Sequence, residues 1–115
     1  MTTIYGIKNC DTVKKATKWL DQQAIEYTFF DFKKQPLTEI LLKEFVSRSS
    51  WEVLLNKRST TFRNLPEEIK NNLTDEVVFQ AVLSQPTLLK RPLVDHNNSF
   101  QVGFKEPVYQ ELFLP

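Results

Sequence analysis

Cys10 is the only thiol in the chain, and its surroundings give it a chemical role to play. It follows a short apolar-leaning run, Thr2 to Ile7, and precedes Val13, Ala16, Trp19 or Leu20, and Ala24, apolar residues that recur every three or four positions. The first pattern predicts a strand and the second a helix lying on a core. A cysteine at such a junction meets the unsatisfied N–H groups and positive dipole end of the helix, which favour the thiolate, the form that acts as nucleophile. Lys8, Lys14 and Lys15 add positive charge nearby in sequence, and Asp11 and Thr12 suit the helix start by charge and by capping. The alternative is an inert buried cysteine acting as a small hydrophobe, and the position before the helix favours the reactive thiol over it. Val13 stands where a Cys-x-x-Cys motif would place a second thiol, so a dithiol step within the chain is excluded. Turnover through Cys10 therefore calls for an external thiol, such as glutathione or a partner protein.

Other residues admit both a bland and a functional reading. Pro92 in an extended run fits an edge strand, and Lys90 and Arg91 before it form either a solvated pair or an anion site, with arginine the better fork for a carboxylate. Lys57, Arg58 and Arg63 mark a polar, basic connector that is either an exposed loop or a holder of a glutathione carboxylate or an oxyanion. Lys105, beside Gly103, is equally open between a strand-end charge and a ligand contact. His96 falls in a turn-like stretch, Asp95 to Asn98, and reads as a surface residue; Trp19 and Trp51 read as core. With one cysteine and one histidine, no metal site is expected.

The elements that must position these residues follow from composition and punctuation. The 115 residues are 41% hydrophobic and 25% charged, which is ordinary for one globular domain. Fifteen basic residues face fourteen acidic ones, a balance that argues against a dedicated nucleic-acid or polybasic membrane binder. No apolar run approaches the roughly 18 residues of a membrane span. The first residues lack the layout of a signal peptide, so a cytoplasmic protein is expected. Glu26 to Phe32 predicts a second strand. Thr38 caps a helix carrying Leu41, Leu42, Phe45 and Val46, and Ser49-Ser50-Trp51-Glu52 has capping-box spacing. Pro66 opens a short helix, Thr74-Asp75-Glu76 another, Thr87 to Val102 reads as extended chain ending in a hairpin, and Pro107 opens a closing helix. The order is βαβ, a helical insertion over about residues 36–84, then ββα: an α/β fold with a mixed sheet, in the thioredoxin-like order.

Three ordered stretches carry a resemblance: Thr3-Ile4-Tyr5-Gly6-Ile7-Lys8-Asn9-Cys10-Asp11-Thr12, Trp51-Glu52-Val53-Leu54-Leu55-Asn56-Lys57-Arg58-Ser59, and Leu89-Lys90-Arg91-Pro92-Leu93. Together they resemble the arsenate-reductase-like family, most of all its YffB-like branch, with Spx-like transcriptional regulators on the same scaffold. The resemblance implies a thioredoxin-like fold, Cys10 as the nucleophile, Arg91 as an active-site arginine, Pro92 as a cis-proline, and glutathione as co-substrate with no bound cofactor. The expected activity is a glutathione-dependent thiol reductase acting on a thiol or disulfide substrate, a protein included, with Lys8, Asp11 and Thr12 supporting the thiolate. Lys57, Arg58, Arg91 and Lys105 would then bind glutathione or substrate. Asn56 and Phe104 stand where arsenate reductases carry further oxyanion arginines, which disfavours arsenate itself. The alternative is a regulator that docks on RNA polymerase without turnover.

Overall fold

Thr2, Thr3, Ile4 and Tyr5 are β-branched or aromatic, types that fit a pleated, half-buried surface. In the computed structural model, which describes Met1 to Pro115, they form β1 (Thr2–Gly6), with Thr2, Ile4 and Gly6 buried and Thr3 and Tyr5 half-buried. Helix α1 (Asp11–Gln22) buries Val13, Ala16, Trp19 and Leu20, the stripe expected from the sequence. Ala24 does not extend that stripe; it is exposed, just past the helix. The chain returns as β2 (Thr28–Asp31), shorter than the aromatic run that announced it, and pairs parallel to β1 with Ile4 opposite Phe29 and Gly6 opposite Asp31.

Thr38 accepts a hydrogen bond from Leu41 N–H and opens α2 (Glu39–Arg48); Thr74 accepts from Val77 N–H and opens α6 (Asp75–Ser84). Between them lie three single turns, α3 (Trp51–Leu54), α4 (Thr60–Arg63) and α5 (Glu67–Lys70). The capping-box reading fails: Ser50 is the N-cap of α3 but its side chain makes no cap bond, and Ser49 terminates α2. The basic connector is not all loop, since Ser59 accepts from Phe62 N–H and starts α4 within it. Nor is Thr87 simply extended; Pro86–Leu88 form a tight 3-10 turn, after which Leu89 bridges to Leu55. Trp51 is half-exposed where a core position was expected.

The hairpin comprises β3 (Leu93–His96) and β4 (Ser99–Val102), and α7 (Glu106–Phe113) closes the chain. β3 runs antiparallel to both β1 and β4, giving the sheet order β2-β1-β3-β4. The chain divides into two compact units, Met1–Pro36 with Arg91–Pro115, and Leu37–Lys90. The helical insertion thus runs to Lys90, six residues beyond the expected limit of 84, because the Leu55–Leu89 bridge ties that segment to the helices. The sheet unit is built on Ile4, Ala16, Trp19, Leu20, Val94 and Tyr109; the helical unit buries Leu42, Phe45, Leu54, Val82 and Leu88.

The end of α1 carries a local conflict. Ile25 N–H bonds to Leu20 O at 3.0 Å and Ala24 N–H to Asp21 O at 3.1 Å, the paired bonds of a Schellman cap, with Ile25 packed on the core that contains Leu20. That cap needs a left-handed residue after the C-cap, and Ala24 adopts it with φ 55°. An alanine there bears a steric cost that glycine does not. Ala24→Gly is therefore expected to stabilise the protein by about 1 kcal/mol in urea unfolding. Tyr109, fully buried, donates its hydroxyl to Gly103 O at 2.7 Å. Tyr109→Phe is expected to cost about 1 kcal/mol in the same assay.

Candidate functional site

The sheet register collects the chemistry at one end. Tyr5 lies opposite Leu93, and Leu93 opposite Val102. The segment leaving β1 (Ile7 to Cys10), the segment entering β3 (Arg91-Pro92) and the segment leaving β4 (Gly103 to Lys105) therefore all run off the same edge of the sheet. Gly6 opposite Asp31 places Lys33 and Lys34 at that end too. Lys8, Arg91 and Lys105 thus lie in segments at the same sheet end as Cys10, within one unit.

Cys10 itself is the N-cap of α1, with extended backbone angles of φ −141° and ψ 122°. Its carbonyl accepts the first helical bond, from Lys14 N–H at 2.9 Å, and its side chain makes no capping hydrogen bond. The expectation that Asp11 and Thr12 cap the helix is corrected accordingly. Both lie inside the first turn and are exposed. Asp11 complements the helix dipole there, but its charge also opposes a neighbouring thiolate. The sulfur is half-buried at the cap position and bonds none of the first-turn N–H donors, which have no intrahelical partner. The approach of β1 to α1 is tight at Gly6, where an added Cβ would stand 3.0 Å from Val13 Cγ2.

The Arg91-Pro92 peptide bond is cis, as the family resemblance implied. Pro92 is buried and its carbonyl accepts from Gly103 N–H at 2.8 Å. Gly103 has φ 86°, a left-handed value that favours glycine, and so lets the chain turn from β4 towards α7. Arg91 is half-buried, and Lys105, the N-cap of α7, is exposed.

Lys57 and Arg58 belong to the helical unit and are exposed. Arg58 N–H bonds to Asn56 Oδ1 at 3.1 Å, Asn56 N–H to Leu88 O at 2.8 Å, and Lys90 N–H to Leu54 O at 2.7 Å. These bonds bring Lys90, read in the sequence with Arg91 as a solvated pair or an anion site, into a concavity with Lys57 and Arg58. It measures about 520 Å³, and Trp51, Glu52, Asn56, Lys57, Arg58 and Lys90 are among its lining residues. Three cations against one carboxylate suit a carboxylate-bearing ligand. Arg63 lies in α4, away from the residues lining it.

His96 is not in a surface turn. It ends β3 opposite Thr2, at the far end of the sheet from Cys10, with its Nδ1 2.6 Å from Thr2 Oγ1 and its ring 4.5 Å from that of Phe113. That placement excludes it as a base for Cys10. No cluster of histidine, cysteine or carboxylate side chains suited to a metal ion is present. No helix is long and apolar enough to cross a membrane.

Comparison with known proteins is consistent across the chain's length. The ArsC family model matches residues 5–112. An uncharacterised protein of Haemophilus influenzae is 44% identical over 113 residues, covering 98% of this chain and 99% of that one. Among solved structures, one described as a YFFB protein superposes with a TM-score of 0.93 at 36% identity, covering 97% of this chain and 98% of its own. An arsenate reductase (ArsC) related protein from Brucella melitensis gives 0.79 at 44% identity, with 99% and 95% covered. A glutaredoxin from Archaeoglobus fulgidus, at 14% identity and a TM-score of 0.52, shares the fold alone, and the mixed sheet is thioredoxin-like.

His96 supplies a pH test of the far end. Its pKa lies below the ordinary 6.5, first because burial penalises the charged ring and then because the Met1 ammonium repels it, with Asp95 opposing both. The unfolded chain binds this proton more readily, so the stabilisation is present above pH 6.5 and is lost as pH falls below it. Unfolding followed against pH is expected to show that loss in the native chain, and His96→Gln is expected to flatten it.

Proposed function

The chain belongs to the ArsC family, and from that premise we propose that it is a glutathione-dependent thiol reductase with Cys10 as its nucleophile. The observation that carries the reading is Cys10 itself: a lone thiol at the N-cap of α1, with no side-chain cap bond, at the sheet end that also holds Arg91 and cis-Pro92. The Cys10 thiolate attacks one sulfur of a substrate disulfide. A Cys10–substrate S–S bond forms as the original S–S bond breaks, and the departing sulfur leaves as a thiolate that takes a proton from solvent. Glutathione thiolate then attacks the substrate sulfur of the mixed disulfide, regenerates Cys10 and carries the second half away as a glutathione mixed disulfide. One disulfide and one glutathione thus give one thiol and one new disulfide, with no second cysteine required.

Each remaining residue has a defined part in this reading. Arg91 and Lys105, off the same sheet end, attract the carboxylates of glutathione, and Lys8 adds a further cation two residues before Cys10. Lys57 and Arg58, with Lys90, offer a second anion-binding concavity in the helical unit. A glutathione-coupled reaction belongs in a reducing compartment, in keeping with a cytoplasmic protein. Arsenate is not the proposed substrate. Asn56 bonds the backbone of its own loop, and Phe104 packs edge-on against Tyr109 at 4.7 Å, so neither position offers a cationic fork for an oxyanion.

Incubation with oxidised glutathione, read by mass spectrometry, is expected to give one adduct per chain, and Cys10→Ser is expected to give none. An adduct-free native chain would overturn the reading. In a glutathione-coupled disulfide reductase assay, Arg91→Lys keeps the charge but removes the planar fork, and is expected to raise KM for glutathione by about tenfold with a smaller change in kcat.

A further inference from the structure

A second cavity, of about 270 Å³, lies against the first two turns of α1 and is lined by Lys8, Val13, Lys14, Thr17, Tyr27 and Phe29. Its walls divide by chemistry. Val13 is buried and Tyr27 and Phe29 are half-buried, which gives an apolar, ring-lined floor. Lys8 and Lys14 are exposed, and neither enters an ion pair. Thr17 turns its hydroxyl back onto the carbonyls of Val13 and Lys14, at 3.1 and 3.2 Å. The Asp21 carboxylate lies near Tyr27 but does not line the cavity. The site therefore combines two lysines with aromatic and aliphatic carbon, and no carboxylate is among its lining residues.

Cys10 is not among its lining residues, but two of its lysines bracket the thiol along the chain. Lys8 is two residues before Cys10, and Lys14, whose N–H bonds to Cys10 O at 2.9 Å, is one helical turn after it. Its volume is below the roughly 300 Å³ at which drug-sized sites begin, so it holds about one ring and no more. Glutathione would satisfy the ammonium groups but leave the ring-lined floor uncovered, because it has no apolar ring of its own.

We propose that this cavity is the subsite for the group that stays bonded to the Cys10 sulfur, and that it selects a small aromatic thiol bearing a carboxylate. The inference rests on the reading of Cys10 as a disulfide-exchanging nucleophile. When Cys10 attacks a disulfide of such thiols, one ring seats on Phe29 and Tyr27 with its carboxylate between Lys8 and Lys14, and the other ring leaves as the free thiolate. The S–S bond broken is replaced by the Cys10–ring S–S bond, so no oxidant enters the step.

The test uses the full chain and two aromatic disulfides, dithiobis(nitrobenzoate), which carries a carboxylate on each ring, and dithiodipyridine, which is neutral. Stopped-flow release of the coloured thiolate gives a rate for each, and the readout is the ratio of the carboxylated to the neutral rate. Lys14→Glu is expected to lower that ratio by about tenfold, whereas Lys15→Glu, the same charge change one residue outside the cavity, is expected to leave it within about twofold. Phe29→Ala is expected to slow both disulfides by about threefold, through loss of the ring-lined floor. Equal drops for Lys14→Glu and Lys15→Glu would mean a general field effect and overturn the subsite, as would a ratio that neither variant moves. A native chain that reacts with neither disulfide would instead remove the nucleophile reading and the subsite with it.

Discussion

β1 is the strand on which the rest of the site depends, because it alone is hydrogen-bonded both to a parallel and to an antiparallel neighbour. A one-residue slip in either pairing would turn every side chain of the slipped strand to the opposite face. Buried Ile4 and buried Val94, directly opposed, fix the register from the core side. Once that register holds, the loop with Cys10 and the Arg91-Pro92 bond have no choice of sheet end. The placement of Cys10 beside the Arg91-Pro92 segment is thus a by-product of packing, decided several residues away from the thiol.

A second chain of contacts holds that end together. Pro92 O accepts from Gly103 N–H, Gly103 O accepts from the Tyr109 hydroxyl, and the Tyr109 ring meets Trp19 of α1 edge-on at 5.8 Å. Burial drives the Tyr109 phenol well above its usual pKa, so the hydroxyl stays protonated and remains a donor. The route from the proline to the helix that Cys10 caps therefore passes through two hydrogen bonds and one aromatic contact. Such a route fixes the loops at this sheet end to the core through α7.

Much of this was legible in the sequence, for identifiable reasons. Thr38 and Thr74 each precede an acidic residue and an apolar stripe, and both are caps in the structure because that signal is local. The same logic misled at Ser49 and Ser50, where a serine that closes one helix resembles one that opens the next. Ala24 matched the spacing of α1 but sits in a left-handed turn, which periodicity cannot distinguish from one more helical turn. His96 lay beside two asparagines and looked like turn, yet the turn needs only Asn97 and Asn98, leaving His96 to pair with Ser99 and with Thr2. Lys90 joins Lys57 and Arg58 only through the Leu55–Leu89 bridge, a long-range pairing with no local signature. The lysine-and-ring cavity beside α1 needs β2 folded back against the helix, and Tyr27 and Phe29 gave no hint of it on their own.

The cap position of Cys10 has a consequence for how the protein trades robustness against reactivity. Serine, asparagine and aspartate are the residues that best close the start of a helix, and cysteine is not among them. The chain thus keeps at this point a residue that leaves its first turn under-satisfied, and does so in the helix whose Trp19 and Leu20 anchor the core. Replacing the sulfur by oxygen would leave the shape nearly unchanged, offer the helix start a better capping acceptor and remove the thiol. The serine chain would then be the sturdier one, and a thiol at this helix start is a choice that helix stability alone does not make.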